Sequence, residues 1–316
     1  MSPTDLRRKA SSFRVAFATH RGLPELTPDD RLVLDYLNAE GVAAEAAVWD
    51  SADVGWQDFD CVVIRSCWDY HRRPAEFAAW ISLLETKGVD VRNPPDVIRW
   101  NMDKSYLSEL EQNGISVAPT VWLEKNSTVD LGRILSEKQW SKVVIKPTIS
   151  ATAFETWISA PDTVNQDQHA VHRILQRSGV MIQKFIEEVP AKGEWSLVFF
   201  NKEYSHAVLK RAREGEFRVQ NEYGGYLEEN VSPKSSLIEQ ARQIVESVEA
   251  PLLYARVDGV EVDGRFMLME LELIEPFLFF SANSESVTRF AQALTSFRET
   301  VMAAKQQRRI SVAACN

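Results

Sequence analysis

Cysteine is scarce in this chain, three of 316 residues, and no two of them form a Cys-x-x-Cys. Cys61, Cys67 and Cys315 cannot all pair, so no disulfide framework holds the fold, and five scattered histidines complete no zinc site. His169 and His172 share a helical face but lack a third ligand, while Cys61 and Cys67 flank a short apolar run and read as reduced, packed thiols. A nucleophilic Cys67 is the alternative. Basic residues are outnumbered, 36 against 45 acidic, and the net charge of −9 excludes a sequence-independent grip on nucleic acid. No uncharged apolar run approaches the roughly 18 residues of a membrane span, and the polar residues 1–12 carry no secretory core, so a soluble, cytoplasmic protein without a membrane partner is expected. There is also no G-x-G-x-x-G and no Walker loop, which excludes the usual dinucleotide and P-loop sites.

What is present is an ordered alternation. Phe13 to Thr19 reads as strand, Pro28 to Glu40 as helix, Ala43 to Trp49 and Cys61 to Arg65 as strands, and Pro74 opens a helix that stops at Gly88. This order predicts a small parallel sheet ending near Asn93-Pro94-Pro95. Next come a helix from Asp103 to Gln112, a strand Val117 to Leu123, a helix Val129 to Glu137, a strand Lys142 to Lys146, a helix near Gln166 to Gln176 and a strand Val180 to Phe185. From Glu194 onward four β-rich runs have an antiparallel look, with helices expected at Pro233 to Val248 and from Ser286 to about Ala304.

The stretch MELELIEP, Met269 to Pro276, carries the chemistry. In a half-buried strand Glu270 and Glu272 share a face, which points either to water or into a pocket. Asp258 in the preceding strand favours the pocket, because three clustered carboxylates repel one another unless a cation neutralises them. Hard oxygen ligands suit Mg²⁺ held jointly with nucleotide phosphates. Lys146 ends the strand KVVIK before the small residues Thr148 to Ala153, whose backbone can approach phosphate; a lysine snorkelling to the surface is the alternative. Lys210, Arg211, Arg213 and Arg218 follow SHAVL, as a solvated hairpin or as counter-charge for a transferring phosphate.

With these residues in place, the sequence resembles the ATP-grasp superfamily, and within it the bacterial glutathione synthetases, the ribosomal-protein glutamate ligases and, most closely, the cycloserine-forming ligases. RNPPDVIRWNMDKSYL resembles the segment that bears a first ATP lysine, here Lys104, and VVIKPTISATA the second, Lys146, with its phosphate loop. VMIQKFIEEV resembles the hinge whose backbone at Lys184 to Ile186 would meet adenine. The resemblance thus implies ATP contacts from Lys104, Lys146, Ser150, Gln183, Lys184, Phe185, Ile186 and Glu194. KRAREGEFRVQNEYGG is similar to the K-R-x-x-x-x-G-[DE]-F-R segment of the glutamate ligases and nominates Lys210, Arg211 and Arg218 as catalytic. RVDGVEV and MELELIEP are similar to the family's Asp and Glu-x-Asn metal ligands, mapping to Asp258, Glu270 and Glu272, with Glu in place of the usual Asn. Ser196 stands where related ligases can carry Arg, and the phosphate loop lacks glycine. IRSCWDYHRRPAEFAAWI resembles the cycloserine-type group and suggests Arg65, Ser66, Trp68 and Tyr70 as substrate contacts at a strand's C-terminal end, with His20 at the equivalent place after the first strand. A packed Trp and a surface Arg are the alternative there.

The implied fold is α/β and α+β: a tail (1–12), a parallel N-terminal α/β domain (13–98), a small ATP-grasp lobe (99–186), a large lobe with the metal site (187–305) and a second tail (306–316). The implied activity is ATP-dependent joining of a small amino-acid-like carboxylate to an amine through an acyl phosphate, with two Mg²⁺, or Mn²⁺ in their place. Intramolecular ring closure and an inactive nucleotide-binding regulator are the alternatives, and self-association is left open.

Overall fold

Strand and helix alternate through the first quarter of the chain because short apolar runs are separated by amphipathic stretches that open on proline. The computed structural model describes residues 13–213, 215–216, 218–219, 223–228 and 231–298. Both expected tails and the end of the last expected helix lie outside the described residues. β1 (Arg14–Thr19), β2 (Ala43–Val48), β3 (Cys61–Ser66) and β4 (Asp90–Arg92) form a parallel sheet in the order β2-β1-β3-β4. β3 is buried along its whole length, as a strand covered on both faces must be. Helices α1 (Pro28–Ala39) and α2 (Pro74–Thr86) start at prolines, whose missing N–H is an orphan in a first turn anyway. The Thr27 hydroxyl caps α1 by accepting from the Asp30 N–H at 2.9 Å.

The Pro94-Pro95 pair, read from sequence as a boundary, opens a helix instead: α3 (Pro95–Met102) precedes α4 (Tyr106–Gln112). A second, antiparallel sheet of β5 (Thr120–Leu123), β6 (Val143–Pro147), β7 (Trp157–Ser159) and β8 (Val180–Lys184) has the order β5-β8-β6-β7. It is covered by α5 (Leu131–Lys138) and α6 (Val164–Leu175) through Leu131, Leu135, Val171 and Ile174. A short helix α7 (Glu188–Lys192) leads into the third sheet, β9 (Glu194–Phe200), β10 (Glu203–Arg211), β11 (Tyr226–Glu228), β12 (Tyr254–Val262) and β13 (Arg265–Glu272), in the order β11-β10-β9-β12-β13 and antiparallel throughout. α8 (Ser235–Glu246) packs on one face of this sheet, with Tyr106 and Leu107 of α4 in the same core. α9 (Ser286–Ser296) sets Phe290 against Phe17 of the first sheet and Phe200 of the third.

β13 is an edge strand, and its open side is sealed by side chains. Tyr106 Oη donates to the Leu271 carbonyl at 2.8 Å and accepts from the Leu271 N–H at 2.9 Å. Asn101 makes the same two-way pairing with Leu271 O and Leu273 N, and Asn93 bonds Tyr254 O, Leu273 O and Leu253 N. Val117, expected to begin β5, instead makes one bridge to Leu268 on this edge. An unpaired strand edge is thereby satisfied and the register of Glu270 and Glu272 is fixed.

Arg65 and Ser66 do not contact the large cavity described below. The Arg65 side chain is 1% exposed: Nε donates to Asp30 Oδ1 at 2.9 Å, Nη2 donates to the Pro276 carbonyl at 2.8 Å, and the guanidinium lies over the Tyr254 ring. Ser66 Oγ donates to Asp30 Oδ2 at 2.7 Å. The pair fastens the first sheet to the segment after β13, which corrects the expectation that they contact substrate. A β-strand whose residues are buried on both faces has no side chain to offer a cleft until it ends. Asp30→Ala leaves the Arg65 charge buried without its counter-ion and is expected to cost about 3–5 kcal/mol. Arg65→Met combined with Asp30→Leu should recover most of that loss; urea denaturation of the three variants measures both, and a neutral Asp30→Ala would contradict the analysis.

Candidate active site

Alternate residues of a strand share a face, and across β10, β9, β12 and β13 that rule assembles a charged row. Lys210 pairs in register with Glu194, Ser196 with Asp258, Asp258 with Glu270, and Arg256 with Glu272. The row forms part of the wall of a cavity of about 390 Å³, whose other walls come from Lys146 and Gln183 of the second sheet, the 150–153 loop, and Trp68 and Tyr70 beyond β3. Lys104, Lys146, Ser150, Gln183, Lys184, Phe185, Ile186, Glu194, Lys210, Arg218, Asp258, Glu270, Glu272, Trp68 and Tyr70 all line it. Arg211 points off the opposite face of β10 to Glu228 at 3.0 Å, and His20 accepts from the Gly22 N–H in its own loop; neither lines the cavity.

Arg256 was missed in the sequence, although the same period of two that groups Glu270 with Glu272 groups it with Asp258. Its guanidinium bonds both Asp258 oxygens and Glu272 Oε1, and Nη1 donates to the Phe277 carbonyl at 3.0 Å. Asp258 accepts further from Ser196 Oγ at 2.7 Å and from Lys210 Nζ at 3.0 Å. Burial would raise its pKa, but Arg256 and Lys210 overcome that and hold the carboxyl well below the usual range. Lys210 is likewise buried, and its two anions, Asp258 and Glu194 (2.5 Å away), outweigh burial and keep it charged. Protein cations thus offset part of the carboxylate charge. Among the described residues no three His, Cys, Asp or Glu side chains are grouped to hold one. Mg²⁺ that is shared with nucleotide phosphates needs only one or two carboxylates, and Glu270 and Glu272, with about a quarter of each side chain still exposed, fit that use.

The two lysines differ. Lys104 Nζ donates to the Ser150 carbonyl at 2.6 Å and pairs with Glu270 Oε1 at 2.9 Å, and this pairing prevails over burial to raise its pKa. Lys146 has no hydrogen bond or ion pair among the described residues; burial, with Lys104 nearby, lowers its pKa against the pull of Glu270. At the end of β8 the Lys184 N–H is already given to Pro119 O at 2.8 Å and the Phe185 N–H to Lys142 O at 3.1 Å. Proline has no N–H to return, so the Lys184 carbonyl opposite Pro119 receives no ladder bond from it. Arg218 is bidentate to Glu216, at 3.0 and 2.7 Å, and lies over the Tyr223 ring. Cys61 and Cys67 are free thiols buried in the first domain, and burial raises the pKa of each well above the ordinary value, which suits packing rather than nucleophilic chemistry.

Two antiparallel sheets that enclose two lysines and a row of paired carboxylates, preceded by a small parallel sheet, make an ATP-grasp-like fold. Residues 15–93 match the family model "D-cycloserine synthetase DcsG, N-terminal domain". The chain is related to the cycloserine biosynthesis protein DcsG of Streptomyces lavendulae, 28% identical over 279 residues that cover 83% of this chain and 91% of that protein. The crystal structure of D-cycloserine synthetase DcsG superposes with a TM-score of 0.79 at 27% identity, over 90% of this chain and 99% of the other. D-alanine–D-alanine ligase from Bacillus anthracis, solved with ATP, shares the fold at a TM-score of 0.67 and 16% identity, over 94% and 100% of the two chains. No described helix is long and apolar enough to cross a membrane.

Glu275, which also lines the cavity, is pushed up to about 8 by burial, with Glu272 adding to the effect. Its folded-state pKa lies above the ordinary 4.5, so the protonated carboxyl contributes stability below that value, and the contribution is lost as pH rises through about 8. Glu275→Gln should therefore leave the ligand-free melting temperature nearly unchanged at pH 5 and raise it by several degrees at pH 8.5. Differential scanning calorimetry at the two pH values checks this, and an equal shift at both would contradict it.

Proposed function

We propose that the protein is a cytoplasmic ATP-dependent carboxylate–amine ligase that activates a small amino-acid-like substrate as an acyl phosphate and releases ADP and phosphate. The observation that carries this reading is the half-buried Lys146 amine, which has no hydrogen bond or ion pair among the described residues yet faces a cavity bounded by Lys104, Glu270 and Glu272. A cation kept without a counter-ion at such a position is suited to an incoming phosphate. Adenine is read by the Ile186 N–H and the Lys184 carbonyl, and Gln183 lies beside them on β8.

Glu270 and Glu272 would hold Mg²⁺, which supplies charge neutralisation at the transferring phosphoryl group. Asp258, with both oxygens engaged, orients Arg256. The substrate carboxylate oxygen attacks the γ-phosphorus as the bond to ADP breaks, and Lys104 and Lys146 offset the charge that shifts onto the leaving phosphate. The amine then adds to the acyl carbon, and Arg256 stabilises the tetrahedral oxyanion before inorganic phosphate leaves. Arg218, already paired with Glu216, is left a role at the phosphates. The likeness over residues 15–93, the part that supplies Trp68 and Tyr70, favours a second reading in which one molecule carries both carboxylate and nucleophile and closes to a ring, as the name of the DcsG relative suggests for that protein.

With ATP, Mg²⁺, hydroxylamine and a panel of amino acids, the enzyme should form a hydroxamate and ADP, not AMP. Arg256→Lys is expected to lower kcat by about 10²–10³-fold. Lys104→Ala and Lys146→Ala should raise the KM for ATP at least about tenfold through loss of phosphate contacts. Lys142→Ala, which removes only an ammonium stacked over Phe185, should change it little. AMP and pyrophosphate as products would exclude the acyl-phosphate route.

A further inference from the structure

One acidic side chain in the cavity has no work in the scheme above. Glu275 is 9% exposed and lines the cavity, and among the described residues no hydrogen bond or ion pair from another residue reaches its carboxyl. Every other carboxylate of this wall has a cation against it: Lys104 on Glu270, Arg256 on Glu272 and Asp258, Lys210 on Glu194. A buried carboxyl left out of such pairing is costly unless a ligand completes it.

Its surroundings specify the ligand. Trp68 Nε1 donates to the Glu275 carbonyl at 3.0 Å, which locks the indole beside it, and the Phe277 ring lies 6.4 Å from that of Trp68 at 33°. Tyr70 is buried nearby, and after burial Glu275 is the strongest influence that raises its pKa. Aromatic faces beside a carboxylate attract an ammonium group, by quadrupole and by charge. Arg256 and Lys146 line the same cavity and match in charge the carboxylate end of a zwitterion.

We propose that Glu275, walled by Trp68 and Phe277, receives the ammonium group of the substrate, so that the cavity selects carboxylates bearing a primary amine over the same acids without one. The identity of the carboxylate end rests on the ligase reading; the ammonium site itself does not require turnover. A divalent cation at Glu275 is the competing occupant, and the aromatic walls, which offer no oxygen ligands, disfavour it.

The full-length protein with saturating MgADP is dialysed against a mixture of L- and D-amino acids, D-cycloserine and the matching des-amino acids, and retained compounds are identified by mass. The retained compounds should carry a primary amine. Glu275→Gln should weaken their retention at least about tenfold and leave the Kd for MgADP within about twofold, while Trp68→Phe, which keeps an aromatic face, should bind more like wild type. Equal retention of the des-amino acids, unchanged retention in Glu275→Gln, or retention of none of the amines would each overturn the proposal. So would a loss of Mn²⁺ binding in Glu275→Gln, measured by electron paramagnetic resonance with ADP present, without loss of the amine. Absence of hydroxamate alongside Glu275-dependent amine retention would instead count against the ligase reading alone.

Discussion

The interaction on which the site depends is the guanidinium of Arg256 set between Asp258 and Glu272. Buried carboxylates of like charge cannot all remain ionised at such proximity, and one side would protonate or the fold would loosen if nothing intervened. Arg256 reaches both strands of the β12–β13 pair, Lys210 reaches from β10, and Lys104 reaches from the segment between α3 and α4. The compensation is uneven. Asp258 is drawn down firmly, while Glu272, where burial prevails over Arg256 and Glu270 adds to it, sits near 7. A carboxyl poised there gains most from an added cation.

The row of charges stays in place because the edge that carries it is closed. Tyr106, Asn101 and Asn93 act on β13 as a neighbouring strand would, supplying donors and acceptors at alternating positions. The same side chains come from α3, α4 and the segment after β4, so formation of β13 is coupled to docking of the parallel sheet. Asp29 extends the coupling by accepting from the Phe280 and Ser281 N–H groups at 2.9 and 2.8 Å. Trp68 is held to Glu275 by the same seam, which brings a side chain from the first domain into a cavity formed by the other two sheets.

The loop after Lys146 takes up left-handed backbone without glycine. Thr152, Ala153 and Glu155 adopt positive φ, at 49°, 53° and 50°, in the left-handed region that disfavours side chains. Phe154 among them packs on the His71 ring at 5.2 Å and beneath the Arg72 guanidinium. These contacts tie the loop that lines the cavity to the segment after β3.

The sequence by itself determined the local chemistry: the strand periodicity that aligns Glu270 with Glu272, the prolines that open α1 and α2, the lysine at the end of KVVIK, and the family resemblance those motifs carry. These are properties of neighbouring residues, and a period of two or a fixed φ is legible without knowing what lies across the sheet. Only the tertiary structure decided which charges meet. Arg65 looked like a ligand contact because it ends an apolar run, yet Asp30 and Pro276, distant in sequence, take it into the interior. Arg256 and Glu275 looked unremarkable, because what distinguishes them is the partner each has or lacks. Burial and pairing depend on long-range register, and a linear pattern holds no record of that.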